Sequence, residues 1–434
     1  MNEITDKIKI ATFGCWNRGC VDLSGQQIVS NVLKQNEKLY NFMVILGDNY
    51  YPTKTKLNEK YKVANIQSIV MKKGFDCIEN INLTKKLLMG NHDVVDSIEQ
   101  GCSVMKYQLK MPWYDVKYPF GCEYHYMKTS NSYETVLIFY LDTNIYENGQ
   151  QIDCYKETIG INDIETLKEQ QHNFINDKLS MINPIYNVKQ IIMFGHAPLF
   201  TAKYKISENK KSESLKQTVN NELIDLIFEN MLKYDDLKFT WICADFHTYQ
   251  HSSISLTDKI MNLTGSTNST NQITTNLTGP TGSTDPTNLT NKKEITQLIF
   301  GTGGAELDYV TDNSNTIYLD DHYKLTIKEN KVYDKDHQQM LSTDVYNLDK
   351  LQGFSAYGYG EIEIQMNGHI DHKFIFCKHN EKNTNANSTV NLTDDATSQS
   401  QIGSGYKKKY IDMKRKYIKF KYHSMNNLDM SNEY

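Results

Sequence analysis

The chain has 434 residues, of which 39% are hydrophobic and 23% charged, with 29 Tyr, 16 Phe and 3 Trp. That content excludes a wholly disordered polymer and suffices for one large domain with embellishments or for two or three ordinary ones. A net charge of −5 excludes polyanion binding over the whole surface and leaves only local basic patches for that purpose.

From the N-terminus the chain enters an apolar run, Ile8–Phe13, without the basic start, apolar core and small-residue cleavage site of a secretory leader. No run approaches the ~18 apolar residues that a membrane helix needs. Together these features predict a cytoplasmic protein without a transmembrane segment. The eight cysteines are scattered, with no C-x-x-C pair, which predicts reduced thiols. Triplets such as Asn262-Leu263-Thr264 and Asn391-Leu392-Thr393 then read as by-products of an Asn- and Thr-rich composition.

Further strand-like runs follow at 42–46, 86–89, 135–141, 190–194, 239–243 and 297–300. Helical periodicity separates several of them, with apolar sets at Ile28, Val29, Val32 and Leu33, at Ile164, Leu167, Phe174, Ile175 and Leu179, and at Leu223, Ile224, Ile227, Phe228 and Met231. Strands alternating with amphipathic helices predict an α/β architecture around a buried sheet. After Gly301 the pattern is β only, with a hairpin over 354–376 turning at Asn367-Gly368. Those late strands are expected to complete a second sheet.

Residues 1–379 thus read as one domain with a disordered Asn/Thr/Gly/Ser insertion at about 262–294. A polar stretch, 380–405, reads as a linker, and 406–434 as a basic tail in which Lys407, Lys408, Lys409, Lys414, Arg415 and Lys416 alternate with Tyr406, Tyr410 and Tyr417. Such a tail suits nucleic acid or an anionic membrane surface, and a solvated arm is the plainer reading.

One pattern recurs along the chain: an apolar strand ends in Gly or Ala, and the next residue carries a metal-binding side chain. The instances are Gly14-Cys15, Gly47-Asp48, Gly90-Asn91, Gly195-His196 and Ala244-Asp245. A small residue lets the backbone turn sharply at a strand's carboxyl end, where open α/β sheets bind ligands. Repetition of this pattern points to one polynuclear metal site.

Gly47-Asp48-Asn49-Tyr50-Tyr51, Gly90-Asn91-His92-Asp93, Gly195-His196 and Asp245-Phe246-His247 follow the motif order of the calcineurin-like metallophosphoesterases. More narrowly the chain resembles the purple acid phosphatases, with Tyr51 in their Gly-Asp-x-x-Tyr motif and Gln250 three residues after His247. Flanking matches are Trp113-Tyr114, Leu141-Asp142-Thr143 and Phe300-Gly-Thr-Gly-Gly304. The resemblance implies a four-layer α/β/β/α sandwich of two mixed sheets, the metallophosphoesterase fold. It also implies a binuclear centre that hydrolyses phosphate monoesters by attack of a metal-bound hydroxide. Asp48 would bridge the ions, Tyr51 and His247 would bind the first, and Asn91 and His196 the second. His92 would contact phosphate and assist the leaving group, with Asp93 orienting it.

Two positions depart from that pattern: Cys15 stands where the first motif has Asp, and Asp245 where the fifth has His. Both residue types bind metals, so Cys15 and Asp245 are candidate ligands, with a buried thiol and a turn-capping carboxylate as the alternatives. Cys, His and Tyr donors suit iron and zinc, with manganese or a second iron as the divalent partner, rather than magnesium. An added negative charge would oppose an anionic substrate and hold its activating water less acidic. A phosphate-ester small molecule or phosphoprotein is the expected substrate, and an impaired phosphatase-like scaffold the alternative function. Cys15-Trp16-Asn17 lacks the Asp-x-His of related nucleic-acid phosphodiesterases, which ranks that reading third.

Overall fold

The computed structural model describes residues 7–17, 25–51, 73–94, 102–111, 114–128, 133–147, 152–182, 187–207, 210–217, 219, 221–234, 237–256 and 294–305. Beyond these it describes 317–319, 322–326, 333–334, 339–340, 346–354, 357–366, 368–377 and 389–390. The inserted segment up to residue 293, the basic tail, Cys20 and Trp113 lie outside the described residues.

The first half of the chain supplies strands β1 (Lys7–Phe13), β2 (Phe42–Leu46), β3 (Thr84–Leu88), β4 (Tyr114–Val116), β5 (Gly121–Lys128), β6 (Tyr133–Tyr140) and β7 (Val188–Phe194). A hairpin of β8 (Phe200–Ser207) and β9 (Lys210–Gln217) precedes β10 (Lys238–Cys243), β11 (Tyr249–Leu256) and β12 (Glu294–Phe300). Then come β13 (Ile317–Leu319), β14 (His322–Thr326), β15 (Tyr333–Asp334), β16 (Gln339–Met340), β17 (Tyr346–Phe354), β18 (Gly358–Gln365), β19 (Ile370–Phe376) and β20 (Thr389–Val390). The helices are α1 (Gly25–Asn36), α2 (Lys73–Glu79), α3 (Asn91–Val94), α4 (Ser103–Leu109), α5 (Asp153–Ile159), α6 (Ile164–Ser180) and α7 (Asn221–Lys233).

Two mixed sheets result. A seven-stranded sheet has the order β20-β19-β18-β1-β2-β3-β4, and a nine-stranded sheet the order β13-β14-β17-β11-β12-β10-β7-β6-β5. In the first, β1 to β4 run parallel; in the second, β6, β7, β10 and β12 do. The strand period of two explains why these runs are apolar almost throughout. Ile8, Ile10, Val44, Leu46, Val136, Ile138 and Ile192 face the space between the sheets. Their neighbours point the other way, Phe13, Met43 and Ile45 toward α1, and Leu137, Phe139, Ile191 and Met193 toward α6 and α7. The three apolar sets read from the sequence lie on α1, α6 and α7, and Asp163 caps α6 by accepting from Glu165 N. Helices on both outer faces give the expected α/β/β/α sandwich.

Two expectations change. The late strands do not all join one sheet: β17 extends the nine-stranded sheet, whereas β18 adds antiparallel to the edge at β1, from Lys7↔Gln365 to Thr12↔Gly360. β18 takes that edge because its Ile362 and Ile364, with Phe374 of β19, continue the inter-sheet apolar layer. β20, inside the stretch read as a linker, pairs with β19. Nor are all the thiols free. Cys102 and Cys154 form a disulfide across 52 residues with Cα atoms 5.2 Å apart, and Cys77 is disulfide-bonded too. Scattered spacing conceals such pairs, since α4 and α5 come together only in three dimensions. Among the described residues, no helix is long and apolar enough to cross a membrane.

Candidate metal centre

Parallel strands of both sheets end at one place. β1, β2 and β3 deliver Cys15, Asp48 and Asn91, while β7 and β10 deliver His196, Asp245 and His247. Hydrogen bonds lace the strand ends together, Cys15 N to Gly47 O at 3.1 Å, Ala244 N to His196 O at 2.8 Å and Gly14 N to Phe300 O at 2.9 Å. The Gly301–Gly304 turn backs the first ligand loop, with Gly303 N donating to Gly14 O at 3.0 Å. Glycine is obligatory at Gly90, where an added Cβ would lie 2.3 Å from Asp48 Oδ1 and 2.7 Å from His196 Cε1. Cys15, Asp48 and Asp245 all adopt left-handed backbone conformations, with φ of 53°, 53° and 57°.

Asp48 lies at the centre, and its two carboxylate oxygens face different groups. Toward Oδ2 the Tyr51 hydroxyl donates at 2.6 Å and the Cys15 thiol at 3.7 Å. Tyr51 Oη is also 2.9 Å from His247 Nε2. Donor atoms of Cys15, Asp48 and His247 lie within 4.8 Å of one another. Toward Oδ1 stands His196, its Nε2 at 3.2 Å, and the same nitrogen is 3.8 Å from Asp245 Oδ1. The His92 amide donates to Oδ1 at 3.1 Å and to its neighbour Asn91 Oδ1 at 2.9 Å. The His92 ring is half-buried, 4.6 Å from the Tyr51 ring.

His196 tests whether these residues suit metals. Its Nδ1 lies 2.6 Å from Leu46 O, and a carbonyl only accepts, so Nδ1 carries the proton. Nε2 therefore points at two carboxylates, yet it is buried and makes no well-formed hydrogen bond. Without a cation, a proton must serve. Burial lowers the imidazole's pKa, but the neighbouring Asp48 and then Asp245 outweigh it and push it up to about 10. Burial likewise opposes ionisation of Asp48, and the His196 charge overcomes this and holds the carboxyl well below its usual range. Burial and then the Asp48 charge push the Tyr51 phenol well above its ordinary value, so it stays a donor to Asp48. An imidazole nitrogen aimed at acid oxygens and braced by a carbonyl is the arrangement of a metal ligand. The residue types suit a cation beside Cys15, Asp48 and His247, with Tyr51 Oη next to them, while His196 and Asp245 stand on the other side of Asp48.

Asp93 lies buried between the loops that carry Asp48 and Asn91. Its carboxylate accepts from Asn49 N at 2.9 and 3.1 Å, Asn49 Nδ2 at 3.2 Å, Gly90 N at 2.7 Å and Gln108 Nε2 at 2.8 Å. These bonds brace the loops that carry Asp48 and Asn91. Burial, and then the Asp48 charge, push its pKa up to about 7 against those bonds. Asn49 is the hub that sequence reasoning missed. It accepts from Trp16 Nε1 at 2.9 Å and Asn17 Nδ2 at 2.8 Å, and donates to Leu88 O at 2.6 Å and Gln108 Oε1 at 3.0 Å. The Gln250 side chain accepts from Thr201 Oγ1 at 3.1 Å and donates to Thr248 Oγ1 at 3.0 Å.

No family model and no curated protein matches the chain. Several solved structures resemble it in fold. One is GAP50, the anchor in the inner membrane complex of Plasmodium, at 13% identity and a TM-score of 0.43 over 91% of each chain. A second is the purple acid phosphatase PPD1 from yellow lupin seeds, at 11% identity and a TM-score of 0.47. That match covers 86% of this chain but only 52% of the lupin one, so the protein spans about half of the lupin enzyme's length. PhoD matches at 11% identity and a TM-score of 0.46, over 90% of this chain and 69% of its own.

Proposed function

We propose that the protein is a metal-dependent phosphoesterase acting on phosphate monoesters. The supporting observation is that one buried carboxylate, Asp48, turns each of its oxygens to a separate group of donors, Cys15 and Tyr51 on one side and His196 on the other. Two cations held there would neutralise a phosphoryl group and acidify water. Asp48 would hold the two positions in register, while Asp93 and Asn49 keep its loop against Gly90. Leu46 O fixes the His196 ring so that Nε2 faces inward. His92, held by its amide on Asp48 with its ring half-buried beside Tyr51, would bond a phosphoryl oxygen and give its proton to the departing alkoxide.

The second reading is a phosphate-binding scaffold, favoured by the carboxylate of Asp245 lying 3.8 Å from His196 Nε2 where the resembling family carries a neutral imidazole. Elemental analysis of the purified chain, paired with hydrolysis of a generic aryl phosphate, separates the two. Wild-type protein with two ions per chain and turnover that Asp48→Asn abolishes supports the enzyme. Metal without turnover selects the scaffold, and a wild-type chain that retains no metal refutes the enzyme.

A further inference from the structure

A buried disulfide and an exposed turn bear on where this chain folds. Cys102 and Cys154 are bonded to each other and buried, joining the start of α4 to the start of α5. Buried structural disulfides form where thiols are oxidised, not in a glutathione-reduced cytosol. In such a compartment an N-x-S/T triplet is a modification signal, provided that the asparagine stands on the surface.

Asn82-Leu83-Thr84 meets that condition. It occupies the turn between α2 and β3, with Asn82 and Thr84 both exposed. The turn is held by its main chain: Asn82 N donates to Glu37 Oε2 at 2.6 Å, and Lys34 Nζ pairs with the same carboxylate at 2.8 Å. The Asn82 side-chain amide makes no hydrogen bond among the described residues, which leaves Nδ2 available. Beside it runs an open groove of about 610 Å³ bordered by Lys38, Tyr40, Asn41 and Leu83, so a bulky group has room. β3 starts at Thr84 and carries Asn91 beyond its other end, so a substituent on Asn82 would stand roughly 15–20 Å from the candidate metal centre and leave it open.

We propose that Asn82 is an N-glycan acceptor in a chain that folds in an oxidising, glycan-attaching compartment. The bond formed joins Asn82 Nδ2 to the anomeric carbon of an oligosaccharide. The bond broken links that carbon to the diphosphate of a lipid-carried donor, which leaves with the electron pair, and the amide gives up one proton. Closing Cys102–Cys154 removes two electrons and two protons, accepted by a protein disulfide of the same compartment. This revises the cytoplasmic reading and the treatment of such triplets as compositional noise.

The test is peptide mapping, without reduction, of the full chain isolated from the cells that make it. Release of glycans by an amidase should convert Asn82 to Asp in its peptide, and Cys102 and Cys154 should travel as one linked pair. Thr84→Val, which alters only an exposed hydroxyl, should abolish the modification and leave the circular dichroism unchanged. Unmodified Asn82 in material whose Cys102–Cys154 bond is closed would overturn the proposal, as would free thiols at both cysteines.

Discussion

Asp142 lies buried at the end of β6, with Oδ1 accepting from Asn144 N at 2.9 Å and Oδ2 from the Tyr155 hydroxyl at 3.0 Å. Burial pushes its pKa up to about 7 in spite of those bonds. The folded value therefore exceeds the unfolded one, and between pH ~4 and ~7 the folded chain holds a proton that the unfolded chain has released. Stability falls as pH rises through that window and levels off above it. Asp142→Asn should remove this share of the slope and leave the protein on the order of a few kcal/mol more stable at pH 8, with little change at pH 4. Melting temperatures of the two proteins across that range check the sign, and parallel curves would refute it. Asp93, also raised to about 7, adds to the same slope and should keep part of it in the variant.

At the scale of elements, the loop after β3 and the contact of α4 with α5 make opposite demands on the chain. Gly90→Ala places a methyl group 2.3 Å from Asp48 Oδ1 and 2.4 Å from Asp48 N, backbone that the Asp93 bonds hold in place. A loss of roughly 1–3 kcal/mol in denaturant unfolding is expected, along with weakened metal retention; unaltered metal content would show that the loop yields. Cys102→Ser opens a disulfide that closes 52 residues, and should cost about 4 kcal/mol in the unfolding of the oxidised protein. α4 also carries Gln108, which bonds both Asp93 and Asn49, so the same variant should loosen metal retention. Much of this level was legible beforehand. Strands at Phe42–Leu46 and over 190–194 announce themselves as apolar runs because both faces are covered, and Gly before a candidate donor marks where they end. The disulfide was not legible, because spacing along the chain carries no information on which thiols meet. Asn49 and Gln108 were hidden for a related reason, since a hydrogen-bond hub is defined by partners from four segments and not by local pattern. The destination of β18 depended on which sheet edge lay open, which periodicity does not encode.

On the scale of the molecule, the two sheets share the candidate donors. Cys15, Asp48, Tyr51 and Asn91 follow strands of the seven-stranded sheet, and His196, Asp245 and His247 strands of the nine-stranded one. Any cation bound by both halves binds the folded chain alone. Zinc at a hundredfold excess over its dissociation constant should raise stability by about 2.7 kcal/mol, and a chelator should reverse the gain. Identical melting with and without metal would mean that the halves do not share an ion. The left-handed turns at Cys15, Asp48 and Asp245 add a last consequence. Because main-chain bonds at each turn fix its shape, what projects from position 15 or 245 can be exchanged without rebuilding the scaffold. Cys15→Asp and Asp245→His are thus small grafts onto ready-made sockets.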